Sequence, residues 1–303
     1  MSIETRIKSL KAGLANGVSP AMATPLKRDS YRVNVAVIPH LVDFLLNRGV
    51  KGLFVGGTTG EGILLDTNER KKLHEATIAT VDGRVPVLLH IGAQRNDTAV
   101  DLAKHAASVQ ADAVVTIPPY FYGMHDDALA AFFQEIAVAI PDVPLFGYDI
   151  PHMAVNGISP DLASRLCELI PSMAGFKSSN ISIQAVRRLL DAVPDDRIVL
   201  AGNESAALGS LALGADGLIS GLSTAVPEPF VAMTKAFADG DMDKARKQQR
   251  LINQLLSKIP AGERLGAIKS VLRGRGVPVG TTSPILPQSN PEVWPAMQVI
   301  LEQ

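Results

Sequence analysis

The chain has 303 residues, of which 47% are hydrophobic and 19% charged, and its formal net charge is −1 at pH 7. This composition supports a large core in one or two domains, and the lack of a basic stripe argues against a nucleic-acid partner. No apolar run is long enough to cross a membrane. The single cysteine, Cys167, cannot form an internal disulfide, which fits a reducing cytoplasm.

Short apolar runs alternate with helical patterns along most of the chain. Residues 1–15 predict a short amphipathic helix rather than a signal peptide, because charges interrupt the apolar positions. The predicted strands follow in order at 19–24, 52–56, 85–91, 113–117, 144–148, 173–177, 198–202 and 217–220. Helical patterns lie between them at 35–46, 68–81, 98–109, 129–139, 160–170, 183–193 and 205–213.

Eight strands that alternate with helical patterns predict an α/β fold, namely a closed (β/α)₈ TIM barrel rather than an open doubly wound sheet. From residue 240 only helical patterns are found, at 241–258, 264–273 and 291–301. We therefore expect a barrel over residues 1–239 and a C-terminal helical extension over 240–303. In such barrels the chemistry lies at the C-terminal ends of the strands, so the strand-end residues are the candidates for a site.

Lys177 ends the sixth predicted strand, where an unpaired ammonium is costly to bury. Burial lowers the pKa of a lysine and leaves a neutral amine that can attack a carbonyl. Strict alternation would place Met173 and Gly175 on the same face as Lys177, and Phe146 on the face of Tyr148. Tyr148 ends the neighbouring strand, within reach of Lys177, and a tyrosine there can relay protons. The structural alternatives are a lysine that reaches water and an ordinary core tyrosine.

Residues 56–62 form a glycine-rich link after the second strand, with Thr58 and Thr59 among the glycines. Glycines allow backbone N–H groups to approach an anion closely, so a carboxylate or phosphate site is one interpretation. A tight turn between strand and helix is the other. The spacing fits neither a Walker loop nor a dinucleotide-binding fingerprint. Glu61 would repel an anion, so we assign it to holding the loop through backbone contacts.

The remaining polar residues give weaker signals. His90 and His152 lie at strand ends and are candidates for ligand contact, although a structural role is the alternative for each. The six histidines show no paired spacing of the kind that binds a metal. No Ser-His-Asp set with a nucleophile elbow is present.

Three segments resemble the signatures of the dihydrodipicolinate synthase and N-acetylneuraminate lyase superfamily: Gly-Thr-Thr-Gly-Glu at 57–61, Tyr-Asp-Ile-Pro at 148–151 and Gly-Phe-Lys at 175–177. The resemblance continues at 21–25, 202–204 and 214–220 and so covers nearly the whole chain. It implies a class I aldolase-type enzyme in which Lys177 forms a Schiff base with pyruvate or a longer 2-oxo acid. Tyr148 would relay protons, with Thr58 in line toward it.

The resemblance also implies the surroundings of the imine. The expected substrate-binding residues are Gly57, Thr59, Tyr120, His152, Met153, Gly202 and Ile219. No metal or organic cofactor is implied, because the protonated imine is itself the electron sink. Family members are commonly homotetramers built from dimers, in which a tyrosine near Tyr120 crosses into the neighbouring subunit's site.

The chain departs from the family pattern where the second substrate is recognised. The synthase branch has an arginine at the position of Met153, five residues after the strand-five tyrosine. Two adjacent tyrosines usually follow strand four, and here the pair is Tyr120-Phe121. The imine half of the site is therefore intact, whereas the half that meets the second substrate is more apolar.

These features favour a lyase or aldolase that cleaves or forms a C–C bond of a 4-hydroxy-2-oxo acid, with pyruvate as the enamine component and an aldehyde as its partner. A dehydratase of a 2-oxo-3-deoxy sugar acid would use the same imine. A 4-hydroxy-tetrahydrodipicolinate synthase is a further alternative, which Met153 disfavours because a thioether cannot replace a charged group. The last alternative is a non-catalytic protein that binds a 2-oxo acid or has a regulatory role, because a fold alone does not establish turnover.

Overall fold

The computed structural model describes residues 1–302 and contains one eight-stranded parallel sheet. The strands are β1 Val18–Pro20, β2 Leu53–Val55, β3 Val87–His90, β4 Ala113–Thr116, β5 Leu145–Asp149, β6 Met173–Ser178, β7 Ile198–Ala201 and β8 Gly217–Ser220. They pair in the order β1-β8-β7-β6-β5-β4-β3-β2, and a single bridge from Ala21 to Phe54 joins β1 to β2. The predicted eight strands and the barrel are confirmed.

Helices surround this barrel and continue beyond it. They are α1 Ile3–Leu14, α2 Ile38–Leu46, α3 Thr67–Val81, α4 Asn96–Ser108, α5 Asp126–Ala139, α6 Pro151–Ala154, α7 Pro160–Leu169, α8 Ile183–Ala192, α9 Ala207–Ala212, α10 Glu228–Ala238, α11 Met242–Leu256, α12 Arg264–Gly274 and α13 Val293–Leu301. Two predicted helices, at 35–46 and 205–213, begin with a 3₁₀ turn. Among residues 1–302, no helix combines the length and apolar character needed to cross a bilayer.

A β-bulge in β6 decides which way its side chains face. Leu145 pairs with Met173 but the next residue of β5 pairs with Gly175, so Ala174 is the extra residue. Ala174 consequently belongs to the cluster inside the barrel, and Met173 to the outer layer under the helices. The alternation predicted for Met173 was therefore wrong. Gly175 has φ +151°, and a Cβ there would lie 1.9 Å from the Ile198 carbonyl oxygen, so only glycine fits.

The helix α1 closes the end of the barrel that lies opposite the C-terminal ends of the strands. Its buried face presents Ile7, Leu10 and Leu14, which join the apolar cluster inside the barrel. The Ser2 hydroxyl caps the helix by accepting a hydrogen bond from the Thr5 N–H. This end is therefore sealed, and the other end remains open for a site.

The C-terminal helices are fastened to the glycine-rich loop by a buried ion pair. Lys269 Nζ of α12 lies 2.6 Å from Glu61 Oε1, and both side chains are almost fully shielded from solvent. The second carboxylate oxygen of Glu61 accepts a hydrogen bond from the Ser283 N–H at 2.6 Å. The structural role expected for Glu61 is confirmed, although its partner Lys269 was not foreseen.

Arg70, His74 and His90 are buried at β3, and the partly buried His105 packs against His74. Arg70 donates to the carbonyl oxygens of Gly92 at 2.8 Å and His90 at 2.7 Å. None of the ion pairs among residues 1–302 includes Arg70, so the hydrogen bonds to these carbonyl groups stabilise its charge. The ring of His74 stacks on that of His105 with centroids 6.2 Å apart. Burial, and then the charge of Arg70, lowers the pKa of both His74 and His90 well below the usual value.

We expect the free energy of unfolding to fall as the pH drops below about 6.5, because unfolding lets His74 and His90 take up protons that the native state excludes. Each group should contribute up to about 1.4 kcal/mol per pH unit below that value and nothing above it. Urea unfolding at a series of pH values would measure this slope. His74→Gln should reduce it, and the exposed His40→Gln should not; equal slopes in all three proteins would contradict the prediction.

Candidate functional site

Lys177 lies at the open end of the barrel between two aromatic rings. It pairs in register with Tyr148 across β5 and β6. Its Nζ is 3.8 Å from the centroid of the Tyr148 ring and 4.2 Å from that of Phe54. Burial lowers the pKa of Lys177, although nearby Tyr148 and Glu204 oppose this shift. The neutral, nucleophilic amine is therefore more accessible at neutral pH than in an exposed lysine.

The Tyr148 hydroxyl links this amine to two further hydroxyl groups. Ser179 Oγ donates to Tyr148 Oη at 3.3 Å, and Thr58 Oγ1 lies 3.5 Å from the same oxygen. Burial by itself raises the pKa of Tyr148, but the charge of Lys177 and the hydrogen bonds from Ser179 and Thr58 outweigh it, so the net shift is downward. The phenol can thus give up and regain a proton beside the amine.

A cavity of about 460 Å³ lies at the mouth of the barrel and reaches Lys177. Of the residues predicted for the site, it is lined by Thr58, Thr59, Tyr148, His152, Met153, Lys177, Gly202 and Ile219. Tyr120 and the candidate His90 line a second, adjoining cavity. Gly57 lines neither cavity, because it packs against the ring of Phe54. The structure therefore brings together the residues predicted to form the imine, to relay protons and to line the cavity. Gly57 is the exception, because it lies outside both cavities.

The glycine-rich loop holds Thr58 and Thr59 at the edge of the cavity by folding tightly on itself. A Cβ on Gly62 would lie 1.7 Å from the Gly56 carbonyl oxygen, so a larger residue would open the loop. Thr24 Oγ1 donates to the Gly60 carbonyl oxygen at 2.5 Å. Within residues 1–302, no backbone hydrogen bond uses the N–H of Thr58 or Thr59. These two N–H groups and hydroxyls can therefore serve a carboxylate.

Sequence reasoning missed a charged pair on the opposite wall, formed by Glu204 and Arg264. Glu204 Oε1 accepts hydrogen bonds from Ser220 Oγ at 2.9 Å and from the Leu222 N–H at 2.8 Å. Its Oε2 forms an ion pair with Arg264, which belongs to α12. Sixty residues separate the two partners in the chain, so no local pattern could have joined them. Ser179 was also missed, although its position two residues after Lys177 on the same strand end was a usable signal.

The carboxylate of Asp149 braces the strands that carry Tyr148 and Lys177. It accepts hydrogen bonds from the Ile158 N–H and from Ser178 Oγ, each at 3.1 Å. Burial raises the pKa of Asp149, and these hydrogen bonds partly oppose the shift. Asp149 and Ser178 pair across β5 and β6. The hydrogen bond between their side chains therefore holds together the two strand ends, one residue beyond Tyr148 and Lys177.

The match to known proteins extends over almost the whole chain. A model of the dihydrodipicolinate synthetase family matches residues 14–303. The 4-hydroxy-tetrahydrodipicolinate synthase of Listeria welshimeri is 32% identical over 286 residues, which are 94% of this chain and 97% of that protein. The synthase of Salinibacter ruber is 34% identical over 233 residues, covering 77% of this chain and 76% of its own length.

Solved structures agree with these relatives. The wild-type sialic acid aldolase of Ruminococcus gnavus superposes with a TM-score of 0.90 at 25% identity, covering 96% of this chain and 98% of that one. A dihydrodipicolinate synthase of Bacillus anthracis gives a TM-score of 0.86 at 27% identity, with 96% and 99% covered. With its barrel, its strand-end lysine and tyrosine, and a family model that matches residues 14–303, the chain is an enzyme of the lyase and aldolase class and belongs to the dihydrodipicolinate synthetase family.

Proposed function

We propose that this enzyme cleaves or forms a C–C bond of a 4-hydroxy-2-oxo acid, with pyruvate as the enamine component and an aldehyde as the partner. The observation that carries the proposal is the buried Lys177 amine, whose pKa is lowered, beside a hydroxyl that can move protons. Thr58 and Thr59 support the proposal because their unused N–H groups suit the carboxylate of a 2-oxo acid.

In the direction of synthesis, the Lys177 amine attacks C2 of pyruvate, and the resulting carbinolamine loses water to give a protonated imine. Tyr148, left as a phenolate after it protonates the departing hydroxide, takes a proton from C3 and gives a neutral enamine, in which the former imine nitrogen holds the electron pair. C3 then attacks the aldehyde carbon, and the aldehyde oxygen takes a proton from Tyr148. Water adds to C2 and releases the 4-hydroxy-2-oxo acid with the free amine. In cleavage, Tyr148 accepts the proton of the C4 hydroxyl as the C3–C4 bond breaks.

A second candidate function is that of a 4-hydroxy-tetrahydrodipicolinate synthase, since that is the name of the relatives in Listeria and Salinibacter. Against it stands Met153 in the cavity wall, a residue that is 60% exposed and offers no charge to an amino acid semialdehyde. The dehydration of a 2-oxo-3-deoxy sugar acid would pass through the same imine and enamine.

Product analysis tests these functions. Cleavage releases free pyruvate, which a coupled reductase detects, whereas dehydration yields a 2-oxo acid of unchanged carbon count. The synthase reaction consumes pyruvate only when aspartate semialdehyde is present. Release of pyruvate from 4-hydroxy-2-oxo acids is the expected result. Turnover with aspartate semialdehyde alone, dehydration alone, or trapping of pyruvate without turnover of any acid would contradict the proposal.

Tyr148→Phe should lower kcat by roughly 10²–10⁴-fold, because it removes the group that relays protons. Pyruvate should still form a reducible imine with Lys177, but more slowly. Rapid-quench borohydride trapping would measure that rate separately from turnover. Ser179→Ala, which removes one hydrogen bond to Tyr148, is the matched milder variant and should lie between the wild type and Tyr148→Phe. Equal kcat values in all three proteins would refute the assigned relay.

We further propose that the enzyme works as a homotetramer, a dimer of dimers, in the cytoplasm. Phe121 and Tyr122 support the assembly, because these residues are 76% and 68% exposed and their ring centroids lie 5.0 Å apart, edge to face. Phe121 also has φ +80°, which is costly for a bulky residue. The lone buried Cys167 is consistent with a reducing compartment.

A further inference from the structure

The cavity that reaches Lys177 continues past this amine toward the C-terminal ends of β7 and β8. Its wall there includes Asn203 and Ser205, which follow β7, and Leu256 and Arg264, which belong to α11 and α12. None of these four residues lines the adjoining cavity. Among residues 1–302, Arg264 is the only arginine in the wall of the Lys177 cavity. This part of the site therefore offers a positive charge that the proposed mechanism does not use.

Arg264 is held at the wall by Glu204 and keeps free hydrogen-bond donors. Its Nη2 forms the ion pair with Glu204 Oε2, and its side chain is 42% exposed, compared with 6% for Glu204. Within residues 1–302, Nε and Nη1 of Arg264 have no hydrogen-bond partner. A guanidinium carries five N–H groups in a planar fork, and Glu204 engages only one of its nitrogens. One edge of the fork is therefore available to the two oxygens of an anion.

Gly221, which follows β8, brings Arg264 close to the substrate site. A Cβ on Gly221 would lie 2.7 Å from Thr59 Oγ1, 3.3 Å from Arg264 Nη2 and 3.6 Å from Glu204 Oε1. Because the glycine has no side chain, Thr59 and Arg264 face the same part of the cavity. A molecule bound at Thr59 can therefore reach the guanidinium with a chain of a few bonds.

The positions of Thr58, Thr59 and Lys177 indicate which part of the substrate extends toward Arg264. In the proposed reaction the carboxylate of pyruvate binds at Thr58 and Thr59, and C2 is joined to Lys177. C3 points away from C1 at C2, so the aldehyde carbon lies on the side of C2 that faces away from the threonines. The aromatic segment at 120–122 follows β4 and lies at the interface of the proposed tetramer. The substituent of the aldehyde therefore has room on the other side, along β7 and β8.

We propose that Arg264 binds an anionic group, a carboxylate or a phosphate, on the substituent of the aldehyde, so that the enzyme prefers such aldehydes over neutral ones. This inference rests on the proposed function, because it concerns the partner of the pyruvate enamine. Arg264 then supplies, from α12, the charge that Met153 lacks. The ammonium group of aspartate semialdehyde gains no partner there, because Glu204, the only acidic residue among residues 1–302 at this wall, has both carboxylate oxygens engaged.

Condensation of pyruvate with paired aldehydes provides the test. Succinic semialdehyde should exceed butanal in kcat/KM, or glyceraldehyde 3-phosphate should exceed glyceraldehyde, by roughly 10–100-fold, as expected for hydrogen bonds to a charged group. The first pair tests a carboxylate and the second a phosphate, so the pair with the larger ratio identifies the anion. Equal values within both pairs, or a preference for the neutral aldehyde in both, would overturn the inference.

Substitution of Arg264 locates the effect. Arg264→Met should remove the preference, mainly by raising KM for the anionic aldehyde. Arg264→Lys keeps the charge without the planar fork and should retain part of the preference. Arg250→Met removes an exposed arginine of α11 that does not line the cavity, so this control should keep the wild-type ratio. A ratio that falls equally in Arg250→Met and Arg264→Met would indicate a general effect of charge and overturn the inference.

A double variant separates binding by Arg264 from repulsion by Glu204. Arg264→Met leaves the Glu204 carboxylate without its partner, and that carboxylate could itself repel an anionic aldehyde. Glu204→Gln combined with Arg264→Met removes both charges and should lose the preference to the same extent as Arg264→Met. If the double variant instead regains the wild-type ratio, Arg264 only screens Glu204 and the inference is overturned.

Borohydride trapping of pyruvate distinguishes this inference from the proposed function. If wild-type protein fails to trap pyruvate, the proposed function itself fails. If it traps pyruvate but Arg264→Met keeps the preference for the anionic aldehyde, Arg264 does not bind that group. If Arg264→Met no longer traps pyruvate, although its circular dichroism and sedimentation match the wild type, Arg264 serves the carboxylate of pyruvate at Thr59 and the inference is overturned.

Discussion

Lys177→Met is expected to abolish turnover and the trapping of pyruvate together. The methionine side chain fills a similar apolar space between Phe54 and Tyr148, but it offers no electron pair that can form an imine. Removal of a covalent nucleophile lowers kcat by on the order of 10⁴-fold or more in other enzymes. With borohydride and pyruvate, the wild-type peptide containing Lys177 should gain the mass of pyruvic acid less one oxygen atom, and the variant peptide should not.

Two further variants make this result specific. Lys177→Arg keeps a positive charge at the site, but a guanidinium stays protonated and cannot form the imine. It should be as inactive as Lys177→Met, which separates nucleophilicity from charge. Lys244→Met removes an exposed amine from α11 and should trap pyruvate like the wild type. An unmodified Lys177 in trapped wild-type protein, or pyruvate-dependent labelling in Lys177→Met, would refute the imine.

Lys269→Met is expected to destabilise the protein by about 3–5 kcal/mol, because it leaves the Glu61 carboxylate buried without its counter-charge. That is a large part of the roughly 5–15 kcal/mol that holds an ordinary domain together. Chemical denaturation would measure the loss. Because Glu61 belongs to the loop that carries Thr58 and Thr59, KM for pyruvate should rise as well, in protein that is still folded.

A double variant and an exposed control distinguish the buried pair from a general effect of lost charge. Glu61→Gln combined with Lys269→Met removes both charges and should be more stable than Lys269→Met alone. Lys235→Met breaks an ion pair with Asp239 on the surface of α10, where the side chains are 72% and 55% exposed. That substitution should cost less than about 1 kcal/mol. Equal losses for Lys235→Met and Lys269→Met would contradict the prediction.

The barrel could be predicted from the sequence because its signals are local. Each strand is a short apolar run followed by a helical pattern, and the rule that chemistry lies at the strand ends led directly to Tyr148 and Lys177. The prediction of strict alternation failed at Met173 because of the bulge. The extra residue leaves the apolar composition of the strand unchanged, so Gly175 was the only feature of the sequence that could have indicated the bulge.

The interactions that sequence reasoning missed are long-range. Lys269 meets Glu61, and Arg264 meets Glu204, only after the C-terminal helices have packed onto the barrel. Two charged residues that are distant in the sequence show no periodicity or fixed spacing from which their ion pair could be predicted. The second cavity, which adjoins the one at Lys177, is likewise a property of the assembled walls. The sequence indicated an apolar surface at Met153, but the space behind it depends on Ile63, Ile117 and Leu286, which come from separate loops and strand ends.

The bulge at Gly175 has a consequence for anyone who would graft this chemistry onto another scaffold. A regular strand with Ala174 facing inward would turn Lys177 outward, toward the helices, since a slip of one residue reverses every side chain that follows. A lysine transplanted in that way would lie in the apolar layer under the helices, away from the tyrosine and the cavity. In a strand that keeps Ala174 facing inward, the reactive amine therefore depends on the irregular glycine two residues before it.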